Sequence, residues 1–153
     1  MALKNWLYRG GRPNFLATFL NHCWAAIHAL GIAPNYLVTL EASGRRSGRM
    51  TRLPLVMASV AGERYLVSML GENASWVLNA RAAKGNVTLL HGRREEVHLE
   101  EVPIEQRAAV LKAYLKLAPG ARPHFPINKS APLSEFQKIA SRFPVFKVLP
   151  RVA

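Results

Sequence analysis

Short apolar runs rich in β-branched and aromatic residues, separated by turn residues, recur along this chain. Such runs are typical of β-strands, and two of the connections between them have the length of hairpin turns, which predicts antiparallel pairing. A proline at position 54 lies inside the second run, so we expect that strand to be an edge, to be bulged, or to leave a backbone group free. The predicted strands are YLVTLE (36–41), TRLPLVMASV (51–60), RYLVSM (64–69), NVTLLH (86–91), REEVHLEEV (94–102) and VFKVL (145–149).

Near the beginning of the chain, polar and apolar residues alternate with the spacing of an amphipathic helix. After Pro13, polar or small residues at spacings of four, seven, eight and eleven lie on one face, and an aromatic-rich face covers the other side. Gly31 and Pro34 end this predicted helix. It either packs on its own domain or lies on a membrane surface, since Lys4, Arg9 and Arg12 precede it.

Three further helices are predicted between or after the strands. One covers 75–84, with Asn73 or Ser75 as cap and Gly85 as stop; the others cover 104–117, opened by Pro103, and 133–143. Hairpins with interspersed helices indicate an α+β fold, and a small barrel closes that many short strands without open edges. We therefore predict a single domain, with a helical segment over 1–34 and a β-barrel over 35–153.

Charge narrows the range of partners. The chain has 153 residues and a formal net charge of +12, and it contains no aspartate. Such a field attracts polyanions or anionic lipid but does not set the fold. The one cysteine, Cys23, excludes an internal disulfide and agrees with a reducing compartment. We expect a cytoplasmic protein, and the first helix is a candidate for peripheral contact with the inner face of the membrane.

The stretch SGRRSGRMTRLPL (43–55) concentrates this charge on a glycine-containing turn between two predicted strands. Its spacing is not that of a Walker A loop, and no helix N-terminus follows it to hold a pyrophosphate. Glycines would let amide groups converge on an anion, and arginine forks would add charge-assisted bonds to phosphate or carboxylate. A solvated hairpin turn, a nucleic-acid contact and a lipid contact remain alternative interpretations.

A second group of candidate residues follows in SMLGENASWVLN (68–79), where Trp76 and Asn79 share a helix face. Trp76 is alternatively a core tryptophan, and Asn79 facing inward with it would need a polar partner. The five histidines are scattered without the paired spacing of a zinc site, so we predict no metal centre. No activated serine or cysteine is indicated.

Taken in order, these two stretches resemble the deazaflavin-dependent nitroreductase family. Members of that family carry a basic G-R-K/R-S/T-G turn, a basic residue, P-L, a Ser-x-x-Gly loop and W-x-x-N-L. The resemblance covers residues 36 to about 102, and the ending RFPVFKVLP is also similar to some members. The matching residues are Gly44-Arg45-Arg46-Ser47-Gly48, Arg52, Pro54-Leu55, Ser68 with Gly71, and Trp76 with Asn79.

The resemblance implies a split β-barrel of the flavin-reductase kind and coenzyme F420, a deazaflavin with a phosphate-linked, polyglutamate tail. It implies that the basic turn holds the phosphate, that the next strand lines the ring, and that the Ser-x-x-Gly loop and the helix complete the pocket. The implied cofactor-binding residues are Arg45, Arg46, Ser47 and Arg52 for the phosphate, Pro54, Leu55 and Val56 for the ring, and Ser68, Met69, Gly71, Trp76 and Asn79 for the pocket.

The implied activity is hydride transfer to an electrophilic acceptor such as a quinone, an activated alkene or a nitroaromatic. Val56 and Met69 stand where some members have a tyrosine and a lysine, so the sequence assigns no catalytic residue. Tyr36, Tyr65, Tyr114 and His124 are candidate proton donors, as is solvent. An FMN reductase on the same barrel and a non-enzymatic basic barrel that binds nucleic acid or lipid are the alternatives. We expect no nucleic-acid partner and consider a homodimer consistent with this fold.

Overall fold

A computed structural model of the chain describes residues 36–151. Within this range six antiparallel strands form a closed barrel in the order β1-β2-β3-β6-β5-β4, which confirms the predicted fold class. The predicted first helix and the boundary between residues 34 and 35 lie outside the described residues, so both stay predictions. The strands are β1 (Leu37–Ser43), β2 (Met50–Val60), β3 (Glu63–Val67), β4 (Asn86–Leu90), β5 (Arg94–Glu101) and β6 (Val145–Pro150).

The helices of the described range are α1 (Ser75–Ala82), α2 (Ala108–Leu117) and α3 (Leu133–Ile139). The helix predicted over 104–117 is interrupted, because a 3-10 turn over Ile104–Gln106 precedes α2. The helix predicted over 133–143 ends early and continues as the 3-10 turn Ala140–Arg142. No helix within residues 36–151 is long and apolar enough to cross a membrane.

The boundaries of α1 show one wrong prediction and one confirmed one. Neither Asn73 nor Ser75 caps the helix: Ala74 occupies the N-cap, where no side chain accepts a hydrogen bond. The Ala74 carbonyl instead accepts from the amide of Val77 at 3.0 Å. The helix ends at Ala82, two residues before the predicted end at 84. Lys84 and Gly85 follow in left-handed conformations, with φ values of 56° and 83°, and the Gly85 N–H bonds the Ala80 carbonyl at 2.8 Å, so Gly85 takes part in the predicted stop.

The two ends of the barrel follow from the antiparallel order. The β1–β2 turn and the chain between β3 and β4, which contains α1, lie at one end, called here the α1 end. The β2–β3 and β4–β5 turns lie at the opposite end. The barrel core joins inward residues of the strands to buried residues of α1, so this helix closes its own end. That core contains Val38, Leu40, Ala42, Leu55, Met57, Leu66, Ala74, Trp76, Val77, Ala80, Val87, Leu89, Val97, Leu99, Phe146 and Val148.

A second apolar layer lies outside the barrel, where α2 packs on β2 and on α3. The outward residues Val56 and Ala58 of β2 are buried there, although neither belongs to the barrel core. Phe125 and Phe143 stack in the connecting segments with ring centroids 4.1 Å apart. The buried Arg107, at the break before α2, bonds the carbonyls of three other residues, which stabilises this layer.

Candidate functional site

The basic turn between β1 and β2 is closed by its own backbone. The Gly44 N–H donates to the Arg49 carbonyl at 2.7 Å, and the Gly48 N–H donates to the Gly44 carbonyl at 2.9 Å. Gly48 adopts a φ of 73°, a conformation that side chains other than glycine rarely take. The turn is therefore a defined structure, and its side chains project from a fixed backbone.

Asn79 of α1 holds this turn. Its Oδ1 accepts the Arg45 backbone N–H at 3.1 Å and the Arg45 Nη1 at 2.9 Å. Asn79 is only 5% exposed, so its amide is a buried polar group whose partners lie on the turn. The sequence analysis predicted that an inward Asn79 would need a polar partner. That partner is Arg45, thirty-four residues away in the chain. The two stretches that the sequence singled out meet at the α1 end.

The predicted convergence of amide groups on an anion is only partly realised. Hydrogen bonds within the protein already use the N–H groups of Gly44, Arg45, Gly48 and Arg49. Two adjacent amides of the turn, those of Arg46 and Ser47, have no hydrogen-bond partner among the described residues. Two adjacent free amides still offer an anion directed donors.

The side chains of the turn supply the charge. Arg46 and Arg49 are exposed, and their guanidinium groups make no hydrogen bond or ion pair within residues 36–151. Ser47, also exposed, uses its hydroxyl to accept the Arg49 N–H at 3.2 Å. Two uncompensated guanidinium groups next to free amides favour a phosphate or carboxylate ligand, which both kinds of donor recognise.

The strand that leaves the turn presents an unpaired backbone edge. The Met57 N–H donates to the Tyr36 carbonyl, so these two residues form a hydrogen-bonded pair of the β1–β2 ladder. Pairs alternate in an antiparallel ladder, so Thr39 and Pro54, which face each other, form a non-hydrogen-bonded pair. Pro54 therefore directs its nitrogen away from β1 and removes no bond from the ladder.

β3 pairs with β2 only from Met57 to Val60. No described strand lies beside the Arg52–Val56 segment on the side away from β1. This segment is thus an edge, one of the outcomes expected for a strand that contains proline. Arg52 to Pro54 are exposed or half-buried, so this part of the edge leaves backbone groups of β2 available to a planar ligand, whereas Leu55 and Val56 are buried.

The Ser68–Gly71 loop is a structural support for the same end. The Ser68 hydroxyl donates to the Gly71 carbonyl at 2.7 Å, and its N–H donates to the Pro144 carbonyl at 2.9 Å. Ser68 and Met69 are both buried. Direct contact of these side chains with a ligand stays a prediction, while the two hydrogen bonds of Ser68 fix the loop.

Three other predicted residues lie in buried positions. Trp76 is 7% exposed and packs edge-on against Phe146, with ring centroids 5.5 Å apart. Leu55 points into the barrel core, and Val56 is buried on the outer side of β2. The interpretation of Trp76 as a core tryptophan is confirmed, so any contribution of these side chains to a pocket would be through shape.

Arg52, predicted as a phosphate ligand, lies beside a partner that the sequence did not reveal. Its Nε donates to Glu41 Oε2 at 2.9 Å, and Arg94 Nη2 donates to Glu41 Oε1 at 2.7 Å. These two guanidinium groups, first Arg94 and then Arg52, lower the pKa of the Glu41 carboxyl. The sequence contained one indication of this partner, because Glu41 is the only acidic residue in its own predicted strand, 36–41. The Arg94 partner had no signal at all.

The candidate proton donors are dispersed. Tyr36 is 37% exposed at the start of β1, Tyr65 is partly buried on β3, and Tyr114 is buried beside Phe125. Burial lowers the pKa of the His124 imidazole. Among the described residues, no group of three or more His, Cys, Asp or Glu side chains could hold a metal ion.

Several solved structures share this architecture. One, described as a domain-swapped dimer, is 20% identical to this chain over 86% of it and 98% of that chain, with a TM-score of 0.51. A candidate pyridoxamine 5′-phosphate oxidase from Listeria innocua is 11% identical over 87% of this chain and 94% of that one, with a TM-score of 0.51. An F420-H2 dependent reductase is 25% identical over 74% of this chain and 93% of that one, with a TM-score of 0.46.

The first two likenesses establish the class of fold, a split β-barrel of the kind found in flavin and pyridoxamine-oxidase proteins. No family model matches the chain, and no curated protein matches it. At such identities a shared fold does not carry an activity with it, since one fold hosts many functions. The function has to be argued from the site.

Proposed function

We propose that this chain is an oxidoreductase that binds the deazaflavin coenzyme F420 at the α1 end of its barrel and reduces a small electrophilic acceptor. The observation that carries the proposal is the pair of hydrogen bonds from Arg45 to Asn79. It joins the basic turn and the Trp76–Asn79 helix into one site, as the resemblance of the two stretches requires. It also holds a cation-rich loop in one conformation before any ligand arrives.

The residues present fit a phosphate group. Arg46 and Arg49 carry exposed guanidinium groups without acidic partners in the described range, and the amides of Arg46 and Ser47 are free of internal bonds. A phosphate accepts several charge-assisted hydrogen bonds, and arginine forks bind it in bidentate fashion. Arg45, which is already bonded to Asn79, would act mainly by fixing the turn.

The edge of β2 around Pro54 fits the planar part of such a molecule. Its outward backbone groups have no strand partner among the described residues, and Pro54 gives the edge no N–H at its centre. A flat ring can approach a backbone edge closely where no neighbouring strand intervenes. Leu55, directed into the core, would keep that edge rigid.

When bound, a reduced deazaflavin supplies a hydride, and the protein supplies binding, orientation and exclusion of water. The acceptor class that we propose is a quinone, an activated alkene or a nitroaromatic. Tyr36, Tyr65 and Tyr114 lie before β1, on β3 and on α2 and do not form one group, and we propose that solvent protonates the reduced acceptor. Tyr→Phe variants at positions 36, 65 and 114 should then reduce the acceptor at an unchanged rate.

The decisive experiment is a fluorescence titration of the purified chain with oxidised and reduced F420, in parallel with FMN, at two salt concentrations. We expect saturable binding of F420 that weakens as salt rises, because exposed charge pairs are screened. Binding of FMN but not F420 would identify a flavin enzyme instead. No binding of either at low salt would contradict the proposal.

We further propose that the protein is a homodimer and that the segment predicted as its first helix makes a peripheral membrane contact. Size-exclusion chromatography with light scattering tests the first statement, and flotation with anionic vesicles tests the second. Both measurements are independent of the cofactor. A monomeric mass would contradict the dimer, and a protein that does not float with the vesicles would contradict the membrane contact.

A further inference from the structure

A buried carboxylate lies between two exposed arginines on the outer face of β1. Glu41 is 3% exposed, whereas the side chains of Arg52 and Arg94 are 65% and 59% exposed. Each arginine bonds a different oxygen of the carboxylate, Arg52 at 2.9 Å and Arg94 at 2.7 Å. The carboxylate is thus covered, and the two guanidinium groups face solvent around it.

The strand register places this group next to the basic turn. Glu41 lies opposite Arg52 on β2 and opposite Thr88 on β4, and it precedes Ser43, the last residue before the turn, by two positions. Two residues along a strand span about 7 Å. Arg94 begins β5 opposite Leu90, so its side chain reaches across β4 to the carboxylate.

The two arginines keep most of their hydrogen-bonding capacity. A guanidinium has about five N–H donors, and only the Nε of Arg52 and the Nη2 of Arg94 are bonded to Glu41. With one negative and two positive groups, the cluster retains a net positive charge. A further acid, Glu96, also acts on Arg94, but its carboxylate lies 3.6 Å from Arg151 Nη1 and its side chain is 69% exposed.

We propose that Glu41 holds Arg52 and Arg94 as a second anion-binding subsite, which takes a carboxylate or phosphate group of the ligand bound at the turn. Arg52 and Arg94 would contact that group, and Glu41 is a positioning residue that acts through them. The assignment to one ligand with the turn rests on the proposed function. The existence of the subsite does not, because it follows from the cluster alone.

The proposed role of Glu41 and simple electrostatics predict opposite changes in anion affinity when the Glu41 charge is removed. Removing a negative charge from a basic surface strengthens anion binding if only the field matters. If Glu41 instead holds two guanidinium forks in place, its removal frees two long side chains that must be ordered again on binding. Affinity then falls even though the local positive charge has risen.

The test uses the full chain and isothermal titration calorimetry at low salt, with inorganic tripolyphosphate and a triglutamate peptide as probes. For Glu41→Gln we expect affinity to fall about fivefold, about 1 kcal/mol. Glu135→Gln removes the same charge from an exposed pair with Lys138 on α3, so it is the matched control and should leave affinity unchanged. Unchanged or tighter binding by Glu41→Gln would overturn the proposal.

A second variant covers the case in which Glu41→Gln does not fold. Arg94→Lys keeps the charge at an exposed position but loses the fork, so affinity should fall at least threefold; equal affinity would also overturn the subsite. Loss with tripolyphosphate alone would assign the subsite to phosphate, and loss with triglutamate alone would assign it to carboxylate. If the probes bind in a Glu41-dependent manner and F420 does not bind, the proposed function fails and the subsite stands.

Discussion

The two ends of the barrel use arginine in opposite ways. At the α1 end, Arg46 and Arg49 have no acidic partner in the described range. At the opposite end, Arg64 makes two hydrogen bonds to Glu95, at 2.8 and 2.7 Å, and His91 contacts the same carboxylate at 2.9 Å. Both ends are polar, but a carboxylate engages Arg64 at the opposite end, whereas two cations of the basic turn are left to bind a ligand; the exposed Arg93 of the β4–β5 turn also has no ion pair in the described range.

The register explains the difference. Arg64 lies opposite Val148 and Glu95 lies opposite Leu89, and both of these apolar residues belong to the barrel core. The Arg64–Glu95 pair therefore closes the interior of the barrel, where an unpaired charge would be costly. The turn at the α1 end is exposed, so its cations need no internal partner. Paired charge here supports the fold, and unpaired charge marks the candidate site.

The largest predicted effect is on the free energy of unfolding. It compares alanine substitutions at two glycines that have the same backbone conformation at opposite ends of the barrel. Gly85 has a φ of 83° and Gly92 a φ of 82°. A Cβ on Gly85 would lie 2.4 Å from the Leu99 carbonyl oxygen, whereas nothing lies within 4 Å at Gly92. Gly92→Ala should cost about 1–2 kcal/mol in the free energy of unfolding, the cost of a left-handed alanine.

Gly85→Ala should cost at least about 2 kcal/mol more, because overpacking against backbone adds to the strain. Since Gly85 ends the helix that carries Asn79, this variant should also weaken anion binding, and Gly92→Ala should not. Urea unfolding and phosphate titration measure the two quantities. Equal destabilisation by both variants would contradict the packing argument.

The next effect on cofactor affinity concerns two arginines of the basic turn, one bonded to Asn79 and one without a partner in the described range. Replacing Arg45 and Arg46 together by alanine should weaken F420 binding more than tenfold, which is more than about 1.4 kcal/mol. The control is Arg93→Ala with Lys129→Ala, which removes two exposed cations away from the turn. If both double variants lose the same affinity, the effect is one of net charge and the phosphate site lies elsewhere.

A smaller effect should follow from changing the residue that holds the turn. Asn79→Asp keeps the oxygen that accepts both bonds from Arg45 but adds a negative charge beside the turn. We expect folding stability to be maintained by the stronger pair with Arg45 and anion affinity to fall about fivefold, about 1 kcal/mol. Thermal unfolding and calorimetric titration separate these outcomes. Unchanged affinity would separate Asn79 from the binding site.

The smallest effect should appear at the opposite end and depend on pH. The Arg64 guanidinium, and then His91, lower the pKa of Glu95 from 4.5 to about 2. A carboxyl with a lowered folded-state pKa contributes stability above its unfolded value, and this contribution disappears as pH falls from about 4.5 to 2. Glu95→Gln should therefore lower stability at pH 7 by about 1 kcal/mol, and the difference should vanish near pH 2. Anion affinity should stay the same; a loss would contradict the separation of the ends.

Sequence patterns predicted most of the strands because apolar runs and turn residues report local conformation. They also placed Arg45 and Asn79 in one site through a resemblance, and left the position of Trp76 open between core and pocket. Periodicity could not decide that question, because an amphipathic tryptophan on a helix looks the same in both environments. Only the contact with Phe146 assigns Trp76 to the core.

The boundaries of helices were the least predictable feature. Asn73 and Ser75 are both good capping residues, yet the chain places Ala74 at the cap, since the packing of α1 on the barrel outweighs the gain from one cap. The break before α2 also has a tertiary cause. Arg107 bonds carbonyls at Ala140 and Phe143, which lie more than thirty residues away.

By itself, the sequence determined that the chain has a strongly basic turn, that antiparallel strands flank it, and that an asparagine on a later helix needs a polar partner. These properties depend on composition and on contacts between near neighbours in the chain. Tertiary structure decided which cations stay unpaired and which pair with Glu41 or Glu95. Glu41 and Arg94 are fifty-three residues apart, and only barrel closure through β4 brings them together. A charge acquires its role from the partners that the fold brings within about 3 Å, and spacing along the chain does not encode that distance.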